Sequence, residues 1–410
     1  MPPEIELNLA GISLRLCRYP LDADEKLRAW DAADEYVLSY ISENPFAQQA
    51  KKILIFNDGF GALSLGLRCL PNFKDTEITV VSDSAISHSA IELNAAKNKI
   101  ELMGTRIINS FEICQFGTEP PYDLVVIKIP KSLAQLEDNL RRIAAKLSKD
   151  TQVIGAGMVK NVHSSTLALF EKNIGTTKSS LAKKKARLIF SSPMSDRLKL
   201  LPEPAKQFRV SKEIGNTPED LALASYPGVF CHGSLDYGTQ FMLESLQLLD
   251  YRPDAESLDI LDLGCGTGAL GFVAAMRLQE LRNLPLTVTF ADESYAATES
   301  VKKSIEALLP PLPSTRFQTF AINGLDGIAD ESQDLILNNP PFHDAAARTS
   351  AIALEMFRES KRVLRIGGQL QVVANRHLGY HKPLKALFGN CKTMASNEKF
   401  VVLSCIKKPG

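Results

Sequence analysis

A chain of 410 residues is too long for one compact core, so two or three domains are expected, and a formal net charge of zero means that any attraction to nucleic acid must come from local patches. Apolar residues make up 45% and charged residues 23%, the balance of an ordinary globular protein and not of a disordered one. The seven cysteines include no CxxC pair, which argues against a zinc site or a disulfide framework and fits a reducing, cytoplasmic setting; the sequence shows neither a signal-peptide pattern nor an apolar run long enough to span a membrane.

In chain order, Leu27, Trp30, Ala33, Tyr36, Val37 and Tyr40 recur at helical spacing and predict an amphipathic helix over residues 24–41. ILIF (53–56), ITVV (78–81) and LVVIKI (124–129) read as short buried strands separated by helical patterns, the alternation of a parallel α/β sheet. Residues 191–205 place Pro193, Pro202 and Pro204 among polar residues and read as a linker. The rhythm then restarts with LDILDL (258–263), LTVTF (286–290), LILN (335–338), LQVVA (370–374) and FVVLSCI (400–406). The expected fold is α/β, with two tandem Rossmann-like domains over residues 1–190 and 206–410.

The halves also match residue by residue. Gly59, Gly61, Ala62 and Leu63 in ILIFNDGFGALSL stand 207 positions before Gly266, Gly268, Ala269 and Leu270 in ILDLGCGTGALGF. ITVVSDS precedes VTFADES by 210, and YDLVVIKIP precedes QDLILNNPP by 211. Three matched junctions in one order point to a duplicated domain, the alternative being the rhythm that any two α/β domains share. The copies differ where chemistry would sit: Ile55 replaces Asp262, Asn57 replaces Gly264, Ser82 replaces Asp292 and Lys128 replaces Asn339. The N-terminal copy is therefore expected to keep the scaffold, lose the polar contacts and bind no cofactor.

The stretch ILDLGCGTGALG (260–271) runs a buried strand into Gly264, Gly266 and Gly268 and then into a helix. Glycines at such a junction let the backbone approach a ligand, and the amides of the new helix face it. Gly266, Gly268 and Gly271 also satisfy GxGxxG, which a dinucleotide-binding dehydrogenase would share. Asp262 separates the two: a carboxylate there can accept from the ammonium of S-adenosylmethionine or from a water, whereas a pyrophosphate would meet a negative charge. Asp292, closing the next strand, can take both ribose hydroxyls or cap the following helix. Asn323 either borders the adenine or makes a turn with Gly324.

NNPPFH (338–343) follows the strand DLILN. Pro340 and Pro341 stiffen the loop and remove two amide donors, so it presents acceptors, unless the segment is an ordinary Asn-Pro-Pro turn. The Asn339 side-chain oxygen and the Pro340 carbonyl can each take one hydrogen of a planar exocyclic amine, turning the nitrogen lone pair toward a methyl donor. Phe342 offers a stacking face, worth about 1–3 kcal/mol.

DLGCGTG, Asp292 and NPPF in this order resemble the class I S-adenosylmethionine-dependent methyltransferases that modify exocyclic amines. GVFCHGSLDYGTQFML (228–243), NNPPFH and VVANRHLGYHKPLKALFG (372–389) are similar to the ribosomal RNA guanine-N2 methyltransferases with a degenerate N-terminal methyltransferase-like domain. AWDAADEYVL (29–38) and NRHL (375–378) favour the large-subunit branch over the small-subunit one. The resemblance implies S-adenosylmethionine as donor and a guanine N2 of 23S rRNA as acceptor. It also places Phe230, Asp236 and Gly238 in a segment closing over the donor's methionine end, with Asp236 equally able to cap a helix, and Arg376 and His377 beside the pocket. His343 reads as a loop histidine or an RNA contact. Cys231 departs from the pattern, which has serine after GVF.

Residues 141–215 hold sixteen Lys or Arg against five Asp or Glu, a local excess suited to phosphate contacts or to an ordinary solvated face. The expected partner is ribosomal RNA with no membrane association, and a monomer is the simplest expectation. Methylation of 16S guanine N2, adenine N6 or protein glutamine N5 uses the same loop chemistry, and an RNA-binding assembly factor with a vestigial site is the non-enzyme alternative.

Overall fold

Runs such as KILIF and LDILDL are buried along nearly their whole length, as strands covered by helices on both faces must be. The structure is a computed structural model and describes every residue outside 1–4, 10, 23–24, 116–120, 199, 203, 247, 249–254, 309–310, 342–345 and 410. The chain divides into two units, Met1–Glu203 and Pro204–Gly410. The first runs β1 (Ile5–Leu9), β2 (Ile12–Leu16), α1 (Ala32–Glu43), β3 (Lys52–Phe56), α2 (Ala62–Cys69), β4 (Glu77–Val81), α3 (Ala85–Lys97), β5 (Thr105–Ile108), β6 (Leu124–Lys128), α4 (Leu133–Ala144), β7 (Gln152–Met158), α5 (Ser164–Asn173), β8 (Gly175–Ser179) and β9 (Ala186–Pro193). The second runs β10 (Lys206–Val210), α6 (Lys212–Gly215), β11 (Leu221–Ser225), α7 (Tyr237–Ser245), β12 (Leu258–Leu263), α8 (Ala269–Arg282), β13 (Leu286–Asp292), α9 (Tyr295–Glu306), β14 (Thr315–Ala321), β15 (Gln333–Asn338), α10 (Ala346–Val363), β16 (Leu364–Asn375), α11 (His381–Phe388), β17 (Lys392–Ser396) and β18 (Phe400–Ile406).

Each unit carries a seven-stranded sheet, ordered β5-β4-β3-β6-β7-β9-β8 in the first and β14-β13-β12-β15-β16-β18-β17 in the second. The two orders are the same when strands are counted within each unit. In both, five strands are parallel and an antiparallel pair closes one edge. The repeat read from sequence thus extends to the topology, α/β with two Rossmann-like methyltransferase folds. It extends to docking details too. The hairpin β1–β2 is tied to α3 where Asn94 Oδ1 accepts the Cys17 amide at 3.0 Å, and the hairpin β10–β11 is tied to α9 where Ser304 Oγ accepts the Ala224 amide at 2.9 Å.

Two expectations need correction. The first long helix begins at Ala32, not near residue 24, because a capping box fixes its start: Asp31 accepts from the amides of Ala33 and Asp34, and the Asp34 carboxylate accepts from the Asp31 amide at 2.9 Å. Trp30 is buried ahead of that start, so the apolar spacing continues upstream without helical backbone. Ser191–Pro193 belong to β9, where they pair with β7 and β8, and not to a linker. Among the described residues no helix is long and apolar enough to cross a membrane.

Candidate active site

The site is assembled at the carboxyl ends of the parallel strands, where an open α/β sheet binds its ligands. At the end of β12 the backbone turns through Gly264 (φ +69°), Gly266 (φ +52°) and Gly268 (φ +82°) into α8. The glycines serve different ends. A Cβ on Gly268 would lie 2.9 Å from the Phe272 ring and 3.0 Å from the Phe290 ring, whereas a Cβ on Gly266 would meet nothing within 4 Å. Gly268 is required by the packing of α8 on β13, and Gly266 leaves open space on the loop.

Asp262 is 1% exposed, and its Oδ2 accepts the Gly271 amide at 2.9 Å, so the carboxyl braces the strand-to-helix turn from beneath. Burial pushes its pKa up to about 8, against the pull of the Gly271 amide and with a further push from Asp292. Contact with a donor ammonium, expected from sequence, would be additional to this bracing role. Asp292 ends β13 with Oδ2 on the Gly266 amide at 2.9 Å and Oδ1 on the Ser294 amide at 2.9 Å. Burial raises its pKa, opposed by those amides. The cap of α9 is Ser294, whose Oγ accepts from Ala297, so Asp292 is not the helix cap. Its side chain stays partly exposed, with acceptor capacity on both oxygens.

Asn323 follows β14 and donates through Nδ2 to Asp326 at 3.1 Å, the turn arrangement, while remaining partly exposed. Arg376 and His377 sit in a short turn directly after β16, beside Glu398 and Lys399. Phe230 is 57% exposed. Phe342 and His343 lie outside the described residues.

The polar centre is Asn339, just past β15. Its Nδ2 donates to Thr239 Oγ1 at 2.9 Å and to the two carboxylate oxygens of Asp236 at 3.2 and 3.4 Å. Its Oδ1 is shielded from solvent and has no partner among the described residues. Asp236 meanwhile caps α7, accepting the Gly238 and Thr239 amides at 2.9 and 3.1 Å. The cap reading of Asp236 is therefore correct, and the same carboxylate touches Asn339. Next to it Asn338 is fully buried and donates to the Leu263 carbonyl at 2.8 Å, tying the loop to β12. Pro340 is buried behind Asn339. The Cys231 thiol, where the pattern has serine, is pushed up in pKa by burial and then by Asp236, so it stays neutral beside that carboxylate.

Sequence reasoning missed Thr239. The available signal was its place three residues after Asp236, matched by Asp34 three residues after Asp31 in the other copy.

In the first unit the corresponding positions hold one another. Lys128 Nζ lies 2.8 Å from Asp31 Oδ1 and 2.7 Å from Asp34 Oδ1. Asp58, 1% exposed, accepts the Ser64 amide at 2.8 Å, the counterpart of the Gly271 amide held by Asp262. Asn57 keeps the left-handed turn of Gly264, at φ 62°, and donates to the Lys128 carbonyl at 2.9 Å. In this copy the polar groups that remain hold one another.

The second unit's site fits S-adenosylmethionine. An open glycine loop, a partly exposed carboxylate closing the second strand and a shielded acceptor with no donor among the described residues match a cofactor with ribose hydroxyls and a methyl delivered beside a planar amine. Fold and site together define a class I S-adenosylmethionine-dependent methyltransferase. Residues 4–195 match the RLMG N-terminal domain and residues 220–404 the methyltransferase small domain. The chain is 38% identical to ribosomal RNA large subunit methyltransferase G of Psychromonas ingrahamii over 98% of each chain, and 41% identical to that of Aeromonas salmonicida over 98% of this chain and 99% of the relative. It belongs to the ribosomal RNA large subunit methyltransferase G family. In fold it is similar to the T. thermophilus 16S rRNA N2 methyltransferase RsmC, solved with AdoMet and guanosine, at a TM-score of 0.75 and 21% identity over 99% of this chain and 98% of that one.

Proposed function

We propose that the protein methylates the exocyclic N2 amine of one guanine in 23S rRNA, with S-adenosylmethionine as donor. The observation that carries this is the Asn339 amide: its donor side is saturated by Asp236 and Thr239, and its shielded acceptor side has no partner among the described residues. A shielded acceptor left empty costs about 1–3 kcal/mol, and an amine hydrogen relieves that cost. Large-subunit rRNA is supported by the family's name and guanine N2 by the loop chemistry; a relative of the same fold carries N2 in its name.

When bound, the donor supplies a sulfonium methyl that is already electrophilic. The residues then position. Asn339 Oδ1 and the Pro340 carbonyl accept the two N2 hydrogens, which points the nitrogen lone pair at the methyl carbon. Held in this way by Asn339 and Pro340, the amine would receive the methyl group that the bound donor supplies, and its surplus proton is free to leave N2 for solvent. Holding nitrogen and carbon at near-attack distance provides much of the rate. A paired guanine must first leave its stack, and Phe342 and Phe230 are assigned to receive it and to close the site. Asp292 is assigned to the ribose, Asn323 to the adenine edge, and the Gly264–Gly268 loop, Asp262, Asp236 and Gly238 to the methionine end.

Residues 1–190 are assigned to RNA binding, 191–205 to a connection and 206–410 to catalysis. Of the basic stretch, Arg142 is excluded from that role because it is buried on Asp138 and the Ser110 carbonyl. Lys183, Lys184 and Lys185 sit together between β8 and β9, with Lys184 68% exposed in its side chain while paired to Glu35.

Guanine methylation mapped in 23S and 16S rRNA from cells with and without the protein tests the reading. One 23S N2-methylguanosine should disappear. Loss confined to 16S, or no loss in either, defeats it. Asn339→Ala should abolish methylation with donor affinity within a few fold of wild type; near-normal turnover would remove Asn339 from the mechanism.

A further inference from the structure

An amide that must present its oxygen to a substrate has to be stopped from rotating by 180°, since its two ends are nearly equal in size. In this site the restraint is explicit. Thr239 Oγ1 at 2.9 Å and the Asp236 oxygens at 3.2 and 3.4 Å all face Asn339 Nδ2, and an ionised carboxylate only accepts. Rotating the amide would set its oxygen against two carboxylate oxygens and bury its NH2 where Oδ1 now sits. Asp236 is itself held by the amides of Gly238 and Thr239 at the start of α7, and Thr239 is 7% exposed, so the restraint is built on a rigid helix end.

The first unit supports this independently. Asp31 and Asp34 stand 205 residues before Asp236 and Thr239, and Lys128 stands 211 before Asn339. Asp31 caps α1 as Asp236 caps α7, and the pair holds Lys128 Nζ at 2.8 and 2.7 Å. Both units therefore keep a helix-start pair of acceptors gripping a nitrogen at the end of the fourth strand of the sheet. In the second unit that nitrogen belongs to an amide with a second, acceptor end; in the first it belongs to an ammonium, which has none. The grip is the shared element, and only the asparagine turns it to catalytic use.

We propose that Thr239 and Asp236 are positioning residues that fix the rotamer of the Asn339 amide and thereby set the rate of methyl transfer, without adding to donor affinity through this contact. The proposal rests on the guanine-N2 reading of the site. Thr239→Val removes the acceptor at nearly constant volume, Thr239→Ser restores it, and Asp236→Asn keeps a helix cap while placing an NH2 where a carboxylate oxygen faces Asn339.

The full chain is assayed on unmodified 23S rRNA transcript with radiolabelled S-adenosylmethionine, and donor Kd is measured by calorimetry. Thr239→Val should lower kcat about tenfold with donor Kd within twofold of wild type, Thr239→Ser should keep at least half of wild-type kcat, and Asp236→Asn should lower kcat about tenfold whatever it does to donor Kd, because Asp236 is also assigned to the donor's methionine end. Normal donor binding also shows that the variants fold. The positioning role is overturned if Thr239→Val retains wild-type kcat, if its loss lies wholly in donor Kd or in KM for RNA, or if Thr239→Ser is as slow as Thr239→Val. Should Thr239→Val not fold, Thr239→Ala decides by the same kcat-against-Kd criterion. A wild-type chain that leaves guanine N2 unmethylated defeats the functional reading instead, so the two failures are distinct.

Discussion

Asp262 shows how a single buried carboxyl couples the site to pH. Its pKa of about 8 in the folded protein lies far above the value of about 3.9 expected for an unfolded aspartate. Between those values the folded state binds the extra proton. The stability it confers is complete below about pH 4 and declines as pH rises toward about 8, by at most about 1.4 kcal/mol per pH unit. Chemical denaturation at pH 6 and pH 8 should show the second unit weakening with pH, and Asp262→Asn should flatten the trend; an equal decline in both proteins would place its source elsewhere. Asp292 is the counterpart on the ligand side of the loop. Asp292→Ala removes the acceptor for the Gly266 amide and the one assigned to the ribose, so donor affinity should fall at least tenfold by calorimetry. An unchanged affinity would end its assignment.

At the scale of the element, the β12–α8 junction separates glycines that fold from a glycine that leaves room. Gly268→Ala combines a left-handed backbone with contacts of 2.9 and 3.0 Å to two phenylalanine rings and should destabilise by about 3 kcal/mol. Gly266→Ala has the same kind of backbone and an open surroundings, so it should cost only about 1 kcal/mol in stability. Its methyl group nevertheless projects into the space assigned to the donor, and affinity should drop about tenfold. Denaturation and calorimetry on the two variants should give opposite rankings, and a common ranking would refute the division. Strands such as these were legible because short, mostly apolar runs of six or seven residues bounded by polar or turn residues admit little else: LDILDL and FVVLSCI have the observed bounds. The start of α1 was not, because apolar spacing upstream of Asp31 is satisfied equally by a packed non-helical segment, and only the closing of the cap decides where helical backbone begins.

For the whole molecule, the two units repeat one topology with opposite outcomes for the same polar positions. Lys128 is held by Asp34, whose pKa burial raises to about 6 against the pull of Lys128, and by the more exposed Asp31. Removing the ammonium strands both carboxylates. Lys128→Met should lower the stability of the first unit by about 2 kcal/mol, less than for a fully buried pair because Asp31 is 46% exposed, while donor affinity at the second unit stays unchanged. A variant as stable as wild type would show that the cluster contributes nothing. The RNA grip belongs to this scale as well. If the basic stretch contacts phosphates, affinity for rRNA should fall steeply between about 50 and 200 mM salt, by at least tenfold; a flat response would exclude it.

What the sequence determined by itself is what depends on local pattern and residue chemistry: alternating strands and helices, the repeat, the glycine loop, and an acceptor-rich Asn-Pro-Pro segment beside it. Asn339 could be singled out because proline removes donors wherever it stands. Only the tertiary structure decided which end of its amide is held and which is left without a partner among the described residues, since Asp236 and Thr239 lie about a hundred residues away and reach it from α7, which packs against β16 next to β15. It also decided that Lys128 is held as a structural cation by Asp31 and Asp34. Hydrogen-bond partners separated in sequence by that distance are set by the arrangement of the sheet, and no local propensity encodes them.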